Sequence, residues 1–197
     1  MKLNIFNSDE ITAYSLERTE SNYSPLNDLP TISLEQTHSA EFTEITNPVH
    51  QTVLTADAAF TRIPNLHLKV KHADCLPILF YHPSPLIGVV HAGRKSTEQQ
   101  LLQKLLLHLK NNFNIDDRLE LWFGPAICKD CYQVNKEKNL HYDLIKNNTE
   151  QVRKIFSEAQ TTISYSNRCT AHENNDFYSY RKEGKGVPMN WSGIALL

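Results

Sequence analysis

Blocks of charge are missing from this chain. Lys and Arg number 20 against 22 Asp and Glu, the formal net charge is −2, and no basic or acidic run stands out. Nucleic acid and anionic membrane surfaces therefore find no complementary field. Long apolar stretches are missing too. The opening Met1-Lys-Leu-Asn-Ile-Phe-Asn-Ser-Asp-Glu10 carries no apolar signal region. No run approaches the roughly 20 residues that cross a bilayer as a helix. A cytoplasmic protein is the expectation.

Cysteine is sparse, at Cys75, Cys128, Cys131 and Cys169. In a reducing compartment these read as thiols or ligands, not as a disulfide framework. Cys128-Lys-Asp-Cys131 is formally a CxxC. No second CxxC completes a zinc knuckle, however, and Gly124-Pro125 precedes it in place of a thioredoxin-like strand-to-helix signal. The motif therefore reads as ordinary structure. Repeats, low-complexity tracts and linkers are absent as well. The 197 residues form one expected domain, 1–197, long enough to bury a full core.

What the chain does have is concentrated in residues 72–93. His72-Ala-Asp-Cys75 opens this stretch and His91-Ala-Gly93 closes it. Between them lie two apolar runs of strand length, 76–81 and 86–90, joined by His82-Pro-Ser-Pro85. Pro fixes φ and removes a ladder donor, so the joint reads as the turn of an antiparallel hairpin. If Tyr81 faces Leu86, Cys75 faces Ala92 and points away from His91. A five-residue loop or one bulge, which Pro77 makes reasonable, sets Cys75 against His91 with Cβ atoms roughly 4.5–5.5 Å apart. A thiol and an imidazole at that distance suit a metal or a nucleophile–base pair, and equally a buried Cys beside a hydrogen-bonded His.

Elsewhere, residues 2–6, 31–38, 67–71, 119–123, 163–165 and 192–197 read as strands, and 12–27 as a polar loop. Ser96 with Gln99 offers a capping box. Leu101, Leu102, Leu105, Leu106 and Leu109 then trace the apolar stripe of a helix. A helix start just after His91-Ala-Gly93 favours an anionic ligand, with Arg94 or Lys95 near it. Residues 136–159 read as a helix broken around Asn147-Asn148. Strands and helices mix without strict alternation, so the fold class is α+β, with mixed β-sheets flanked by helices.

Eight motifs occur in order: Gln36-Thr-His38, Ala56-Asp-Ala-Ala-Phe-Thr61, Ala73-Asp-Cys-Leu-Pro77, His91-Ala-Gly93, Gly124-Pro-Ala-Ile127, Cys131-Tyr132, Cys169-Thr170 and Phe177-Tyr-Ser-Tyr-Arg181. This set resembles the laccase-domain family, also called the multicopper polyphenol oxidoreductase family and now described as purine nucleoside phosphorylases; it includes the bacterial peptidoglycan editing factor. The resemblance runs from about residue 11 to the C-terminus. It implies a fold similar to toxin-type cysteine hydrolases and a Zn2+ site of His38, Cys75 and His91. It also implies phosphorolysis of adenosine, inosine and methylthioadenosine, and hydrolytic deamination of adenosine. Three protein ligands leave a fourth position open, the pattern of a catalytic rather than a structural zinc. The implied partners are a purine nucleoside and phosphate, with no nucleic acid and no membrane; neither monomer nor homodimer is set. Asn27, Arg94 and Arg181 are candidate substrate contacts, and Asp74 is either an acceptor behind the ligands or a turn-stabilising residue.

The chain departs from the family pattern in places. His91-Ala-Gly-Arg94-Lys95-Ser96 stands where the family carries His-Ala-Gly-Trp-Arg-Gly, and His72 where it carries Thr. Lys182 replaces the second Arg of an Arg-Arg pair, which matters wherever a bidentate contact is needed. Three rivals remain open. A copper-dependent polyphenol oxidase is one, although none of the nine His forms a His-x-His pair. The second is a metal-free hydrolase with Cys75 as nucleophile and His91 or His38 as base. The third is a catalytically impaired member in which zinc merely ties segments together.

Overall fold

The two apolar runs at 76–81 and 86–90 dictate the architecture, because neither leaves a residue to solvent. They form β8 (Leu76–His82) and β9 (Leu86–Ala92), buried at every position. A continuous apolar run, as opposed to an alternating one, belongs to a strand covered on both faces. The computed structural model describes residues 2–3, 5–6, 8–20, 24–47 and 54–197. β8 and β9 are an antiparallel hairpin turned by Pro83-Ser84-Pro85, with His82 opposite Leu86, Pro77 opposite His91 and Leu76 opposite Ala92.

That register is neither of the two expected from the sequence. The turn is one residue tighter than the Tyr81–Leu86 pairing assumes, three residues in place of four, and no bulge forms. Cys75 lies one residue outside β8, on the same face as Pro77, so it meets His91 diagonally across the end of the ladder. Pro77 does not mark an edge either: β8 sits between β9 and β10 (Leu119–Phe123).

These strands are the middle of a six-stranded sheet. It runs from β13 (Thr161–Tyr165) through β10, β8 and β9 to β6 (Ala58–Thr61) and β4 (Phe42–Ile45). A second six-stranded sheet runs from β1 (Lys2–Leu3) through β2 (Ile11–Ser15), β14 (Asn190–Leu196), β7 (Leu66–His72) and β3 (Thr31–Glu35) to β5 (Leu54–Thr55). Parallel and antiparallel pairs occur in both, as the α+β reading expects.

Side-chain alternation then builds three layers. Leu79, Tyr81, Ile87 and Val89 pack with Ile32, Leu68, Val70 and Ile194 of the second sheet. Leu76, Ile78, Phe80, Leu86 and Val90 face the other way, onto α2 (Leu101–Phe113) and α3 (Leu144–Ile155). By the same alternation His91 and Cys75 belong to the inter-sheet side. The end of the sandwich is thus where polar groups from both sheets meet.

The leucine stripe of α2 is buried as expected, but its start is not. A short α1 (Arg94–Glu98) begins immediately after Gly93, and the chain breaks at Gln99-Gln100, where Gln100 has φ 64. The capping box does not form. Ser96 Oγ instead donates to the carbonyls of His91 and Gly93. A left-handed Gln costs about 1–3 kcal/mol; five buried leucines at about 1.5–3 kcal/mol each outweigh it.

Other expectations need correction. Of the strand expected at 2–6, Lys2–Leu3 is a strand, Ile5 and Phe6 are not, and Asn4 lies outside the described residues. The loop at 12–27 contains β2, because Tyr14 and Ser15 are buried through partners on other strands: Tyr14 Oη meets His67 Nε2 at 3.0 Å, and Ser15 Oγ accepts from Ser192 Oγ at 3.0 Å. Residues 136–159 begin as the turn and second strand of a small hairpin, β11 (Gln133–Asn135) and β12 (Leu140–His141). α3 then passes unbroken through Asn147-Asn148. The buried Asn148 amide donates to Thr97 Oγ1 and to the Leu144 carbonyl, so tertiary contacts override its low helix propensity. A short α4 (Tyr180–Glu183) precedes β14. Among the described residues no helix is long and apolar enough to cross a membrane.

Candidate functional site

Three segments converge at the open end of the sandwich. His38 follows β3, Cys75 precedes β8 and His91 is the penultimate residue of β9. Their ligand-capable atoms all lie within 4.8 Å of one another. Cys75 Sγ stands 3.7 Å from His38 Nε2, and the two imidazoles meet edge to face with centroids 4.8 Å apart. Gly93 makes room for this: a Cβ there would come within 2.8 Å of His38 Cδ2 and 3.0 Å of Cys75 Sγ. Its φ of −79 suits any residue, so the need is for space, not for glycine's flexibility.

Two residues of the site hold backbone conformations that favour glycine, His38 at φ 60 and Asp74 at φ 91. Strain of this kind persists only where surrounding bonds over-determine it. Asp74 is held by Thr170 Oγ1 and Ser179 Oγ at 2.7 Å, by the Arg181 N–H at 2.6 Å, and through its own carbonyl by the Ile127 N–H at 2.9 Å. It therefore fixes the loop before Cys75, and its carboxylate bonds go to Thr170, Ser179 and Arg181 and not to a histidine ring. Of its two expected roles, the turn-stabilising one matches these contacts.

The acceptor behind the histidines is Asp57, fully buried in the turn before β6. Its carboxylate accepts from the backbone N–H groups of Thr37, His38 and Ser39 at 3.1, 3.0 and 2.7 Å, and from Ser39 Oγ at 2.9 Å. It also meets His91 Nδ1 at 2.9 Å. A carboxylate only accepts, so His91 carries its proton on Nδ1 and presents Nε2 to Cys75 and the cavity. One acid thus holds the backbone of one histidine and the ring of the other. Sequence reasoning gave Asp57 no role. Its one signal was a lone acid inside the apolar Ala56-Asp-Ala-Ala-Phe60.

Electrostatically the site is a charged pair. Burial alone would raise the Cys75 thiol, but the His91 charge and hydrogen bonds from both histidines outweigh it and bring the thiol down to about 6. Burial alone would lower His91; the Cys75 thiolate and the Asp57 hydrogen bond lift it to about 9. The structure therefore stabilises thiolate and imidazolium together. Neighbouring His72 behaves oppositely: burial, and then the His91 charge, push it down to about 3, and its Nε2 meets Ser192 Oγ at 3.0 Å.

The triad opens onto a cavity of about 680 Å³, also lined by Gln36, Lys71, His72, Asp74, Tyr132, Tyr180, Arg181 and Met189. This falls in the range of small-molecule sites. Arg181 lies over the Tyr132 ring, 5.6 Å from its centroid, and donates to the Gln133 carbonyl at 2.9 Å. Burial raises the Tyr132 phenol and the Cys75 charge adds to that, while a hydrogen bond with Arg94 and the charges of both arginines pull the other way. Arg94 thus reaches the site through Tyr132, and its guanidinium also pairs with Glu98 at 3.3 Å. Asn27 is exposed in the turn after Leu26, outside the set of lining residues. The structure joins His38, Cys75 and His91, places Arg181 on the wall and Arg94 behind it, and leaves Asn27 apart.

Known proteins resemble this chain in sequence and in fold. The chain is 29% identical over 193 residues to a protein of Bacillus subtilis named purine nucleoside phosphorylase YlmD, an alignment covering 81% of this chain and 69% of that one. It is 29% identical over 175 residues to a purine nucleoside phosphorylase of Haemophilus influenzae, covering 78% and 70%. It is 26% identical over 160 residues to the adenosine deaminase RL5 of an unknown prokaryotic organism, covering 70% and 61%. In fold it is similar to the hypothetical protein YfiH of Bacillus licheniformis, with a TM-score of 0.80 at 21% identity over 95% of this chain and 93% of that one. The family model described as multi-copper polyphenol oxidoreductase laccase matches residues 14–154, most of the chain, and the chain belongs to that family.

Proposed function

We propose that this chain, as one domain of residues 1–197, is a zinc-dependent purine nucleoside phosphorylase acting on adenosine, inosine and methylthioadenosine, with adenosine deaminase activity. The observation that carries the proposal is the convergence of His38, Cys75 and His91 within 4.8 Å at the wall of a cavity of about 680 Å³. The relatives named purine nucleoside phosphorylase and adenosine deaminase support the substrate class.

The donor set fits zinc. Two imidazoles and a thiol already drawn toward its ionised form are borderline-soft ligands, and three of them leave a position open to a reactant. The close approach at Gly93 keeps the space between them free of a side chain. Zinc held there supplies Lewis acidity and makes water acidic enough to ionise near neutral pH.

The residues then divide the remaining work. Asp57 fixes the His91 tautomer and the His38 backbone, so that both rings are oriented before substrate arrives. In phosphorolysis a phosphate oxygen bonds to the anomeric carbon as the carbon–nitrogen bond to the purine breaks. Arg181 on the cavity wall, with Arg94 acting through Tyr132, supplies the positive charge that holds phosphate in line. In deamination water is the incoming group and the amino group leaves, with no demand on the arginines. Phosphate dependence therefore separates the two reactions.

The test is to incubate purified protein with adenosine, inosine and methylthioadenosine, with and without phosphate, beside Cys75→Ala. Phosphate-dependent release of base, and conversion of adenosine to inosine without phosphate, both lost in the variant, are the expected results. Turnover unchanged by Cys75→Ala would overturn the reading.

One observation favours a second reading. Cys75, His91 and Asp57 stand in the order nucleophile, base and orienting acid, with the thiol lowered and the imidazole raised. A metal-free cysteine hydrolase would use them so. Activity that survives metal stripping and is abolished by iodoacetamide would select it. The polyphenol oxidase reading draws less support: among the described residues neither group of potential metal ligands contains more than two histidines.

A further inference from the structure

Four residues outside the cavity come together in a way the sequence reading did not foresee. Cys128-x-x-Cys131 follows β10, and Cys169-x-x-His172 follows β13. The missing half of the CxxC is therefore a CxxH, not a second CxxC. β10 and β13 are parallel neighbours, so the loops leaving their C-terminal ends lie side by side, linked by a bridge between Ala126 and Cys169. Cys131 Sγ lies 3.2 Å from His172 Nε2, Cys128 Sγ lies 3.7 Å from His172 Nδ1, and all four ligand-capable atoms are within 4.8 Å of one another. No disulfide consumes the sulfurs.

We propose that Cys128, Cys131, Cys169 and His172 bind a second, structural zinc ion. Three sulfurs and one imidazole nitrogen are a recognised closed zinc set, and tetrahedral Zn–S bonds of about 2.3 Å place ligand atoms about 3.8 Å apart. The sulfur–nitrogen separations of 3.2 and 3.7 Å already lie inside that spacing and the widest lies within 4.8 Å, so side-chain shifts of about 1 Å or less reach the tetrahedron. The alternative of a Cys128–Cys131 disulfide would leave Cys169 and His172 converged on nothing. Each half presents its donors from a tight turn, Cys128–Cys131 around a 3-10 turn at Lys129–Cys131 and Cys169–His172 around the Glu173 N–H to Cys169 carbonyl bond of 2.9 Å.

The consequence reaches the cavity. Tyr132, next to Cys131, is part of its wall. Thr170, next to Cys169, and Ile127, next to Cys128, both hold Asp74, the strained residue before Cys75. A cation at this cluster locks together the two loops that position Cys75. Four protein donors leave no open position, so its role is to tie and not to react. The inference stands whether or not the cavity triad is catalytic.

Metal analysis of the purified full chain tests it. Wild type should carry about two zinc equivalents, Cys75→Ala about one, and Cys128→Ser/Cys131→Ser about one. The double variant could fail to fold, so two readouts use intact cluster ligands. Cobalt substituted into Cys75→Ala protein should show the intense sulfur-to-metal charge-transfer absorption of a thiolate-rich tetrahedral site. Alkylation of Cys128, Cys131 and Cys169, followed by mass spectrometry, should be slow in native protein and accelerate on adding a chelator. The proposal is overturned by metal-free Cys75→Ala protein that gives no such cobalt spectrum, by alkylation indifferent to chelator, or by iron in place of zinc at the cluster.

Discussion

The two Cys/His clusters use the same donor chemistry to opposite ends. The cavity triad gathers one residue from each of three distant segments, supplies three donors and faces a cavity of about 680 Å³. The loop cluster gathers two i, i+3 pairs, supplies four donors and stands outside the lining of that cavity. The triad's histidines are held from behind by a fully buried carboxylate; at the loop cluster the backing is a backbone N–H, donated by Cys128 to Cys169 Sγ at 3.3 Å. Donor count and backing, not donor type, separate a site suited to reacting from one suited to tying.

The largest expected effect breaks the comparison at its reactive end. Cys75→Ala should lower kcat/KM for purine nucleosides by more than the roughly 10–100-fold that loss of a residue behind a ligand costs, because it removes the ligand itself. Thermal stability should change little, since the side chain is not part of an apolar core cluster. Steady-state kinetics and a melting curve on the same sample check both halves.

Asp57→Asn comes next. The amide would turn one N–H2 toward groups that are donors already, leaving the N–H groups of residues 37–39 short of an acceptor and the His91 tautomer unset. Zinc affinity at the triad should fall by about 10–100-fold, measured by competition with a chromophoric chelator. Zinc in the loop cluster should be unaffected, so a variant losing both ions equally would erase the distinction between the two sites.

At the tying end, Cys128→Ser/Cys131→Ser should act mainly on stability. Each kcal/mol lost lowers Tm by about 2–4 °C in a chain of this size, and loss of a closed metal cross-link should lower it by roughly 10 °C. kcat/KM should fall less than about tenfold, through the loosened Tyr132 and Asp74 loops. A double variant that melts like wild type would show that the cluster ties nothing.

Legibility in the sequence follows the same division. β7–β10, β14 and the stripe of α2 were readable because their own side chains supply the apolar pattern. β2 was not, because Tyr14 and Ser15 are buried by hydroxyl partners on other strands. α3 was read as broken because Asn147-Asn148 are poor helix formers, while Asn148 is fixed by Thr97, far away in sequence. The triad came from the family resemblance and not from the hairpin, whose three-residue turn is tighter than either register considered. Asp57 was silent because its partners are mostly backbone N–H groups, which no residue type announces. Half of the loop cluster was visible as CxxC, but its complement follows another strand, and His172 belongs to none of the eight motifs.

The smallest effect contrasts buried histidines with opposite fates. His67 has only hydroxyl partners, Tyr14 Oη and Thr31 Oγ1, both at 3.0 Å, and burial followed by the Lys69 charge pushes it down to about 3. His91, between a thiolate and a carboxylate, is lifted to about 9. The signs for stability are therefore opposite. Between pH 6.5 and 3 the unfolded chain binds a proton at His67 that the folded chain refuses, so its contribution is complete above pH 6.5 and is lost as pH falls. In metal-free protein the His91 contribution is complete below pH 6.5 and is lost as pH rises through about 9. Replacing His67 by Gln, which can still accept from one hydroxyl and donate to another, should flatten the acid limb by up to about 1.4 kcal/mol per pH unit and leave the alkaline limb alone. Urea unfolding across that pH range reads the slope directly. An acid limb that His67→Gln leaves equally steep would show that His67 is protonated in the folded chain, and the contrast with His91 would collapse.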